Sequence, residues 1–266
     1  MKRKSFIGMM ALALALPTLC STAVTAEELA VVGTGSGMAI LESIGKAFNG
    51  KNAGMTVSVP KSIGSDGGIK AVGTDQAAIG RVSRKIKENE KSYELVYMPI
   101  AKMPIAFFVN KSVETQNLSA DQVCAIYSGK INEWSEVGGK SAKLRVVRRE
   151  DSDSSLKVLL EQFPGFKEIA LTAKSKTTNK DSENCEFIEK TTDTIGFGPY
   201  DMARNYQVNI LKIDGKHPSD PGYAFVGELA LIYKEKNFKE NIKKFVGFAK
   251  SAEAHEAIKS AGGLPY

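Results

Sequence analysis

Three segments of the chain share one pattern, in which apolar β-branched residues run into a turn rich in glycine or serine and then into a helix. They are residues 29–46 (LAVVGTGSGMAILESIGK), 57–72 (VSVPKSIGSDGGIKAV) and 144–163 (LRVVRREDSDSSLKVLLEQF). The start of a helix exposes unpaired backbone N–H groups at the positive end of the helix dipole, so each junction can bind an anion. Three such junctions in one chain favour a protein that encloses a small oxyanion.

Helical and strand patterns alternate along the whole chain. Residues 119–122 form a capping box (S-x-x-Q), and the spacing of apolar residues predicts an amphipathic helix that starts near Ser154. Ser251 is expected to cap a last helix that runs through Ser260. Short apolar runs read as strands at 30–32, 105–109, 145–147, 195–197 and 229–233. This alternation predicts an α/β protein with a largely parallel sheet, and two domains would require the chain to cross between them more than once.

The N-terminus predicts export. A basic start, an apolar run from Phe6 to Leu19 and a small-residue exit are typical of a cleavable signal peptide, here residues 1–26. We therefore expect a periplasmic protein that does not insert into the membrane after cleavage. Three of the 36 basic residues lie in this segment, so the formal net charge falls from +6 to +3. Such a small charge does not favour nucleic acid as a partner.

Two cysteines, Cys124 and Cys185, remain after cleavage of the predicted signal peptide. In an exported protein they could form a disulfide, or they could be two separately buried thiols. Together with the distant His217 and His255 they give no recognisable metal spacing.

The sequence offers little support for an enzyme. It has no G-x-S-x-G elbow and no P-loop, and GTGSGM lacks the last glycine of a dinucleotide-binding turn. His217 precedes a proline in a predicted loop, and His255 lies on a polar helical stretch, so both are expected at the surface. We expect no catalytic residues, no metal and no cofactor.

Taken in order, these segments resemble the periplasmic phosphate-binding proteins of ABC transporters. The most specific stretch is LSADQVCAIYSGKINEWSEVGG (118–139), and GTGSGMAILESIGKAF, SIGSDGGIKAV, AAIGRVSRKI, VVRREDSDSS, TIGFGPYDMA and FVGFAKSAEAHEAIKSAGGLPY are also similar to the family. The resemblance implies a type 2 periplasmic binding protein fold, in which two hinge-crossing strands join two α/β lobes around a ligand cleft. The expected limits are 27–106 for the first part of lobe 1, 107–197 for lobe 2 and 198–266 for the rest of lobe 1.

The resemblance also implies a function. A monomer would capture inorganic phosphate or a related oxyanion by lobe closure and deliver it to an ABC transporter permease. In the alternative, the same fold binds another anion or a small polar ligand and acts as a sensor or secreted accessory protein without transport.

The family's ligand residues carry over to positions in four turns. They fall on Ser36, Gly37, Met38, Ser65, Ser83, Arg149, Asp153, Ser154 and Ser155. Arg149 matches the arginine that forks onto the ligand, and Ser83 stands where some members have a proton-accepting aspartate. For any single one of these segments, turn, cap and surface roles are an alternative to ligand binding.

Asp153 departs from the family pattern, which has serine there. In one interpretation its carboxylate accepts the ligand's proton and selects protonated phosphate over sulfate. In the other it caps its own helix, because an acid in this position satisfies unpaired N–H groups.

Overall fold

The sheet is organised around β4 (Leu95–Asn110), a strand of 16 residues that contributes to both halves of the molecule. The computed structural model describes residues 27–266, and the predicted signal peptide lies outside the described residues. The first part of β4, up to Pro104, pairs with β11 (Val226–Lys234), whereas residues from Ile105 onward pair with β8 (Thr194–Pro199). β4 therefore runs through both halves of the molecule and pairs with different strands in each.

The first half follows the β–α–β alternation that the sequence predicts. Its strands are β1 (Glu27–Gly33), β2 (Met55–Ser58), β3 (Ile79–Val82), β11 and the short β12 (Leu264–Pro265). Its helices are α1 (Met38–Asn49), α2 (Gly64–Gly73), α7 (Glu240–Phe248) and α8 (Ala252–Ser260). β1 runs parallel to β2 and β3, whereas β11 returns antiparallel between β3 and β4.

The second half extends the sheet from the other end of β4. Its strands are β5 (Asn117–Leu118), β6 (Arg145–Arg149), β7 (Lys176–Thr178), β8, β9 (Val208–Ile210) and β10 (Lys212–Ile213). Its helices are α3 (Ala120–Tyr127), α4 (Ser154–Gln162), α5 (Asp181–Lys190) and α6 (Tyr200–Ala203). β6 is parallel to β7 and β8, and β5 and β10 form a separate two-stranded sheet.

Each half buries its own apolar core. In the first half, α1 packs Leu41 and Phe48 against the face of the sheet that carries Leu229. In the second half, aromatic rings pack around Phe107, whose centroid lies 5.3 Å from that of Phe163 and 5.8 Å from that of Tyr127. Separate cores joined by shared strands allow the two halves to move relative to each other as units.

Residues after β8 stay with the second half. β9 pairs with Phe108–Asn110, β10 pairs with β5, and Tyr223 and Phe225 belong to the second-half core. The lobe limits taken from the sequence remain a prediction, and we propose that the chain returns to the first lobe at the start of β11 rather than at residue 198.

The structure distinguishes between the two alternatives for Cys124 and Cys185. Cys124 and Cys185 are free thiols. The sulfur of Cys124 donates to the carbonyl of Pro164 at 3.3 Å, whereas Cys185 is buried on α5 in a different apolar cluster. The disulfide, which the sequence left open, is therefore absent among the described residues. The two thiols are separate, but only Cys185 is buried and Cys124 is half-buried. Over residues 27–266, none of the helices combines the length and apolarity that a membrane span requires.

Candidate ligand-binding site

A small cavity opens between the two halves of the molecule. Its polar lining comes from the turns at Ser36–Gly37 and Ser83 in the first half and from Ser154 and Ser155 in the second. The remaining lining residues are Met103, Ile105, Val158, Pro199 and Gly227, most of which lie on or beside the strands that connect the halves. Five residues predicted from the sequence thus meet at one cavity, although they come from three distant parts of the chain.

The turn between β1 and α1 forms one wall. Gly37 is the residue before α1, and its φ of 72° lies in the left-handed region that glycine adopts without strain. The preceding Gly33 is also required, because a Cβ there would lie 2.0 Å from the carbonyl oxygen of Arg81. These two glycines allow the turn to lie directly against β3 and to point the start of α1 towards the cavity.

Three hydroxyl groups cluster behind this wall. Ser83 Oγ lies 3.1 Å from Thr34 Oγ1 and 3.4 Å from Ser65 Oγ, and the Ser83 N–H donates to Ser65 Oγ at 3.2 Å. Ser65 therefore contacts the site through Ser83. Thr34 accepts the Ser36 N–H at 3.2 Å and is a site residue that the sequence reasoning missed. Its position in the TGSG turn was the available signal.

Arg81 lies beneath the same turn and is fully buried. Its guanidinium donates to the carbonyl of Thr34 at 2.7 Å, to that of Pro60 at 2.7 Å and to that of Val31. These bonds join the β1–α1 turn to the segment that precedes α2. Burial lowers the pKa of Arg81, and the charge of Glu42 acts in the opposite direction. Arginine nevertheless stays protonated, because its ordinary pKa is far above neutral.

The start of α4 forms the opposite wall. Ser155 is only 1% exposed and lines the cavity, and its hydroxyl has no hydrogen-bond partner among the described residues. A buried hydroxyl without a partner loses free energy, so such groups are normally satisfied. Ser154 lines the cavity beside it and is exposed.

Asp153 serves as the cap of α4. Its Oδ1 accepts the Leu156 N–H at 2.8 Å, and its Oδ2 lies 3.1 Å from Arg149 Nη2. Burial raises the pKa of Asp153, whereas the Leu156 N–H and the Arg149 charge act to lower it. Both carboxylate oxygens are thus engaged within the protein, which favours the capping interpretation over the proton-acceptor interpretation.

Arg149 is placed behind the first turn of α4 rather than in the cavity wall. Its guanidinium is 4% exposed and pairs with Glu150 through Nε at 3.1 Å, with Asp153, and with Asp181 at the start of α5. Asp181 has no motif in the sequence that would have identified it. In this conformation the arginine has three carboxylate partners and is not among the described residues that line the cavity.

The predicted residues therefore divide into three groups. Ser36, Gly37, Ser83, Ser154 and Ser155 line the cavity; Ser65 is bonded to Ser83; Met38, Arg149 and Asp153 stand outside the lining. Met38 is the first residue of α1, and its N–H lies 3.3 Å from the carbonyl of Gly35. The ligand role of all nine remains a prediction.

Two α/β halves joined by a shared strand, with a cavity between them, form an architecture that binding proteins use to capture a ligand. Residues 21–253 match the family described as the PBP superfamily domain, and the chain belongs to this family. The sequence is similar to the phosphate-binding protein PstS of Bacillus subtilis (strain 168), with 25% identity over 240 residues that cover 87% of this chain and 78% of that protein. It is also similar to PstS of Borreliella burgdorferi, with 23% identity over 222 residues, 76% of this chain and 77% of that protein.

Solved structures agree with this assignment. A protein from Clostridium perfringens assigned as a phosphate ABC transporter substrate-binding protein, solved with bound phosphate, superposes with a TM-score of 0.73 at 26% identity. The match covers 90% of this chain and 100% of that chain. An ABC-type phosphate transport receptor from Vibrio cholerae has the same fold, with a TM-score of 0.64 at 23% identity over 90% of this chain and all of that chain. The two-lobed α/β fold predicted from the sequence is confirmed. The expectation of a largely parallel sheet is wrong, because the shared strand β4 pairs antiparallel with β8, β9, β11 and β12.

Proposed function

We propose that the chain captures inorganic phosphate in the cavity between its lobes, outside the cytoplasm, and delivers it as a monomer to the permease of an ABC transporter. The observation that carries this proposal is the buried hydroxyl of Ser155, which has no partner among the described residues and belongs to a residue that lines one cavity with Ser36, Gly37 and Ser83. The names of the relatives support phosphate as the ligand, and none of those named above favours another ligand or a sensor without transport.

Capture follows from the position of the donors. Hydroxyl and N–H groups from both lobes converge on one cavity, so an oxyanion that contacts both walls binds the closed arrangement better than an open one. Phosphate oxygens accept several hydrogen bonds at once, which suits a site of serines and a helix start. Binding and release of phosphate require no chemical reaction. The similar protein from Clostridium perfringens is likewise assigned as a substrate-binding protein.

Replacement of Ser155 by alanine tests the proposed site. Phosphate binding should weaken roughly 10- to 100-fold, because a hydrogen bond to a charged group contributes about 1.5–3 kcal/mol. Equilibrium dialysis with radiolabelled phosphate would measure the change. Ser141→Ala, an exposed serine in the same half, is the matched control and should leave the affinity unchanged. Equal affinities of the Ser155 and Ser141 variants would contradict the assigned site.

A further inference from the structure

Arg81 carries a positive charge that no carboxylate of the described residues contacts directly. Its three hydrogen-bonding groups donate to backbone carbonyls, and among residues 27–266 it forms no ion pair with a carboxylate. The side chain is fully buried, and a buried charge is normally paired. Backbone carbonyls satisfy its N–H groups as hydrogen bonds but do not cancel its formal charge.

The other arginines near the cleft are neutralised. Arg149 pairs with Glu150, Asp153 and Asp181, as described above. Arg84, three residues after Arg81, pairs with Glu90 at 2.7 Å and with Asp66. The positive field in the cavity wall therefore comes from Arg81 and from the helix starts.

Arg81 is also connected directly to the wall. It bonds the carbonyl of Thr34, whose hydroxyl lies 3.1 Å from that of Ser83, and Ser83 lines the cavity. The Arg81 backbone carbonyl accepts the Thr34 N–H at 3.1 Å, so the turn is held from both sides. An anion at Ser83 would be separated from the buried guanidinium by Thr34, in a region of low effective dielectric.

We propose that Arg81 is the positioning residue that supplies the uncompensated positive charge of the anion site, and that the bound anion is its counter-charge. This inference rests on the proposed function, because it assigns the electrostatic attraction within the same cavity. The family resemblance assigns the positive charge of the site to Arg149 in the second lobe. In this chain, the charge would instead come from Arg81, a residue of the first lobe that does not contact the ligand.

Two substitutions of Arg81 separate the effect of its charge on phosphate binding from the effect of its hydrogen bonds. Arg81→Gln removes the charge and should weaken phosphate binding roughly tenfold or more, whereas Arg81→Lys keeps the charge and should stay within about threefold of the wild type. Titration calorimetry with phosphate on the mature wild-type chain and each variant measures these affinities. If Arg81 served only to hold the turn, both substitutions would weaken binding alike, and that result would overturn the inference.

Arg84→Gln is the matched control for net charge. It removes the same charge from the same segment, but from an arginine already paired with two carboxylates, and should change the affinity by less than about threefold. A loss as large as that of Arg81→Gln would attribute the effect to overall charge and overturn the inference. Absence of phosphate binding by the wild type would overturn the proposed function and this inference together, whereas equal binding by wild type and Arg81→Gln would overturn this inference alone.

A substitution that keeps Arg81 tests the same proposal if Arg81→Gln does not fold. Glu42 is an exposed residue of α1 whose charge acts on Arg81. Glu42→Gln should tighten phosphate binding by about twofold, since it removes a partly screened opposing charge. Glu168→Gln, an exposed glutamate of the other half, should not. If Arg81→Gln does not fold, equal affinities of these two glutamate variants would reject the proposal and a difference of the expected sign would support it.

Discussion

Two arginines of this chain occupy opposite electrostatic surroundings. Arg149 is enclosed by three carboxylates, so its charge is paired within the second lobe, whose Ser154 and Ser155 line the cavity. Arg81 is enclosed by carbonyl groups and keeps its charge beneath Ser83 and Thr34. At the scale of single residues, the site therefore depends as much on what surrounds each charge as on which residue carries it.

Asp201 provides a pH test at the same scale. It lies in the first turn of α6 and is 9% exposed, and burial raises its pKa from 3.8 to about 6, although the Met202 N–H and the charge of Arg204 oppose this shift. The folded chain thus holds the proton more tightly than the unfolded chain. The contribution of Asp201 to the free energy of unfolding is therefore fully present below the pKa that this residue has in the unfolded chain. It is lost as the pH rises through the pKa that Asp201 has in the folded chain.

We therefore expect Asp201→Asn to remove a pH dependence. Relative to this variant, the wild type should lose up to about 3 kcal/mol of unfolding free energy as the pH rises from about 4 to above 6. Urea unfolding at a series of pH values measures the difference. Asp121→Asn, an exposed aspartate in the first turn of α3, is the control. A difference between wild type and Asp201→Asn that is constant with pH, or that grows in the opposite direction, would contradict this account.

At the scale of elements, the β1–α1 turn is the most constrained segment of the site. A Cβ at Gly37 would lie 2.7 Å from Met103 Sδ, and the φ of 72° disfavours other residues. Gly37→Ala should lower the unfolding free energy by about 1–2 kcal/mol and weaken phosphate binding, because the start of α1 must shift. Urea unfolding and calorimetry measure the two effects.

Gly247 offers a matched control in α7. It is exposed, has an ordinary helical backbone and has no atom within 4 Å of a Cβ built there. Gly247→Ala should raise the unfolding free energy by about 0.5–1 kcal/mol, since alanine is the better helix former. If Gly37→Ala behaved like Gly247→Ala, the turn would not have the rigidity that we assign to it.

Local signals predicted the elements well. The capping box at Ser119 is present with both of its hydrogen bonds, α4 begins at Ser154 as its apolar spacing indicates, and Ser251 caps α8. These features depend on residues close together in the chain. The pairing of Arg149 with Asp181 could not be predicted in the same way, because Asp181 is brought to it by the parallel pairing of β6 with β7. The same reason explains why Thr34 was missed and why the cysteines were left as alternatives.

At the scale of the whole molecule, the cavity exists because the chain crosses between two separately packed lobes, once within β4 and again just before β11. Ligand contacts with Ser83 on one side and Ser155 on the other would connect the lobes through the anion. Within residues 27–266, no carboxylate is among the residues that line the cavity. Serine hydroxyls and N–H groups donate equally to sulfate and phosphate, so we expect only modest discrimination between these two anions.

The most direct measurement is a calorimetric titration of the mature chain, freed of bound ligand, with phosphate and then with sulfate. The account predicts saturable binding of one phosphate per chain, with sulfate bound within roughly tenfold of the phosphate affinity, since a tenfold ratio corresponds to only about 1.4 kcal/mol. Strong rejection of sulfate would show that a proton acceptor operates in the cavity and would return Asp153 to that role. No saturable heat with phosphate would contradict the central claim that this cavity captures phosphate.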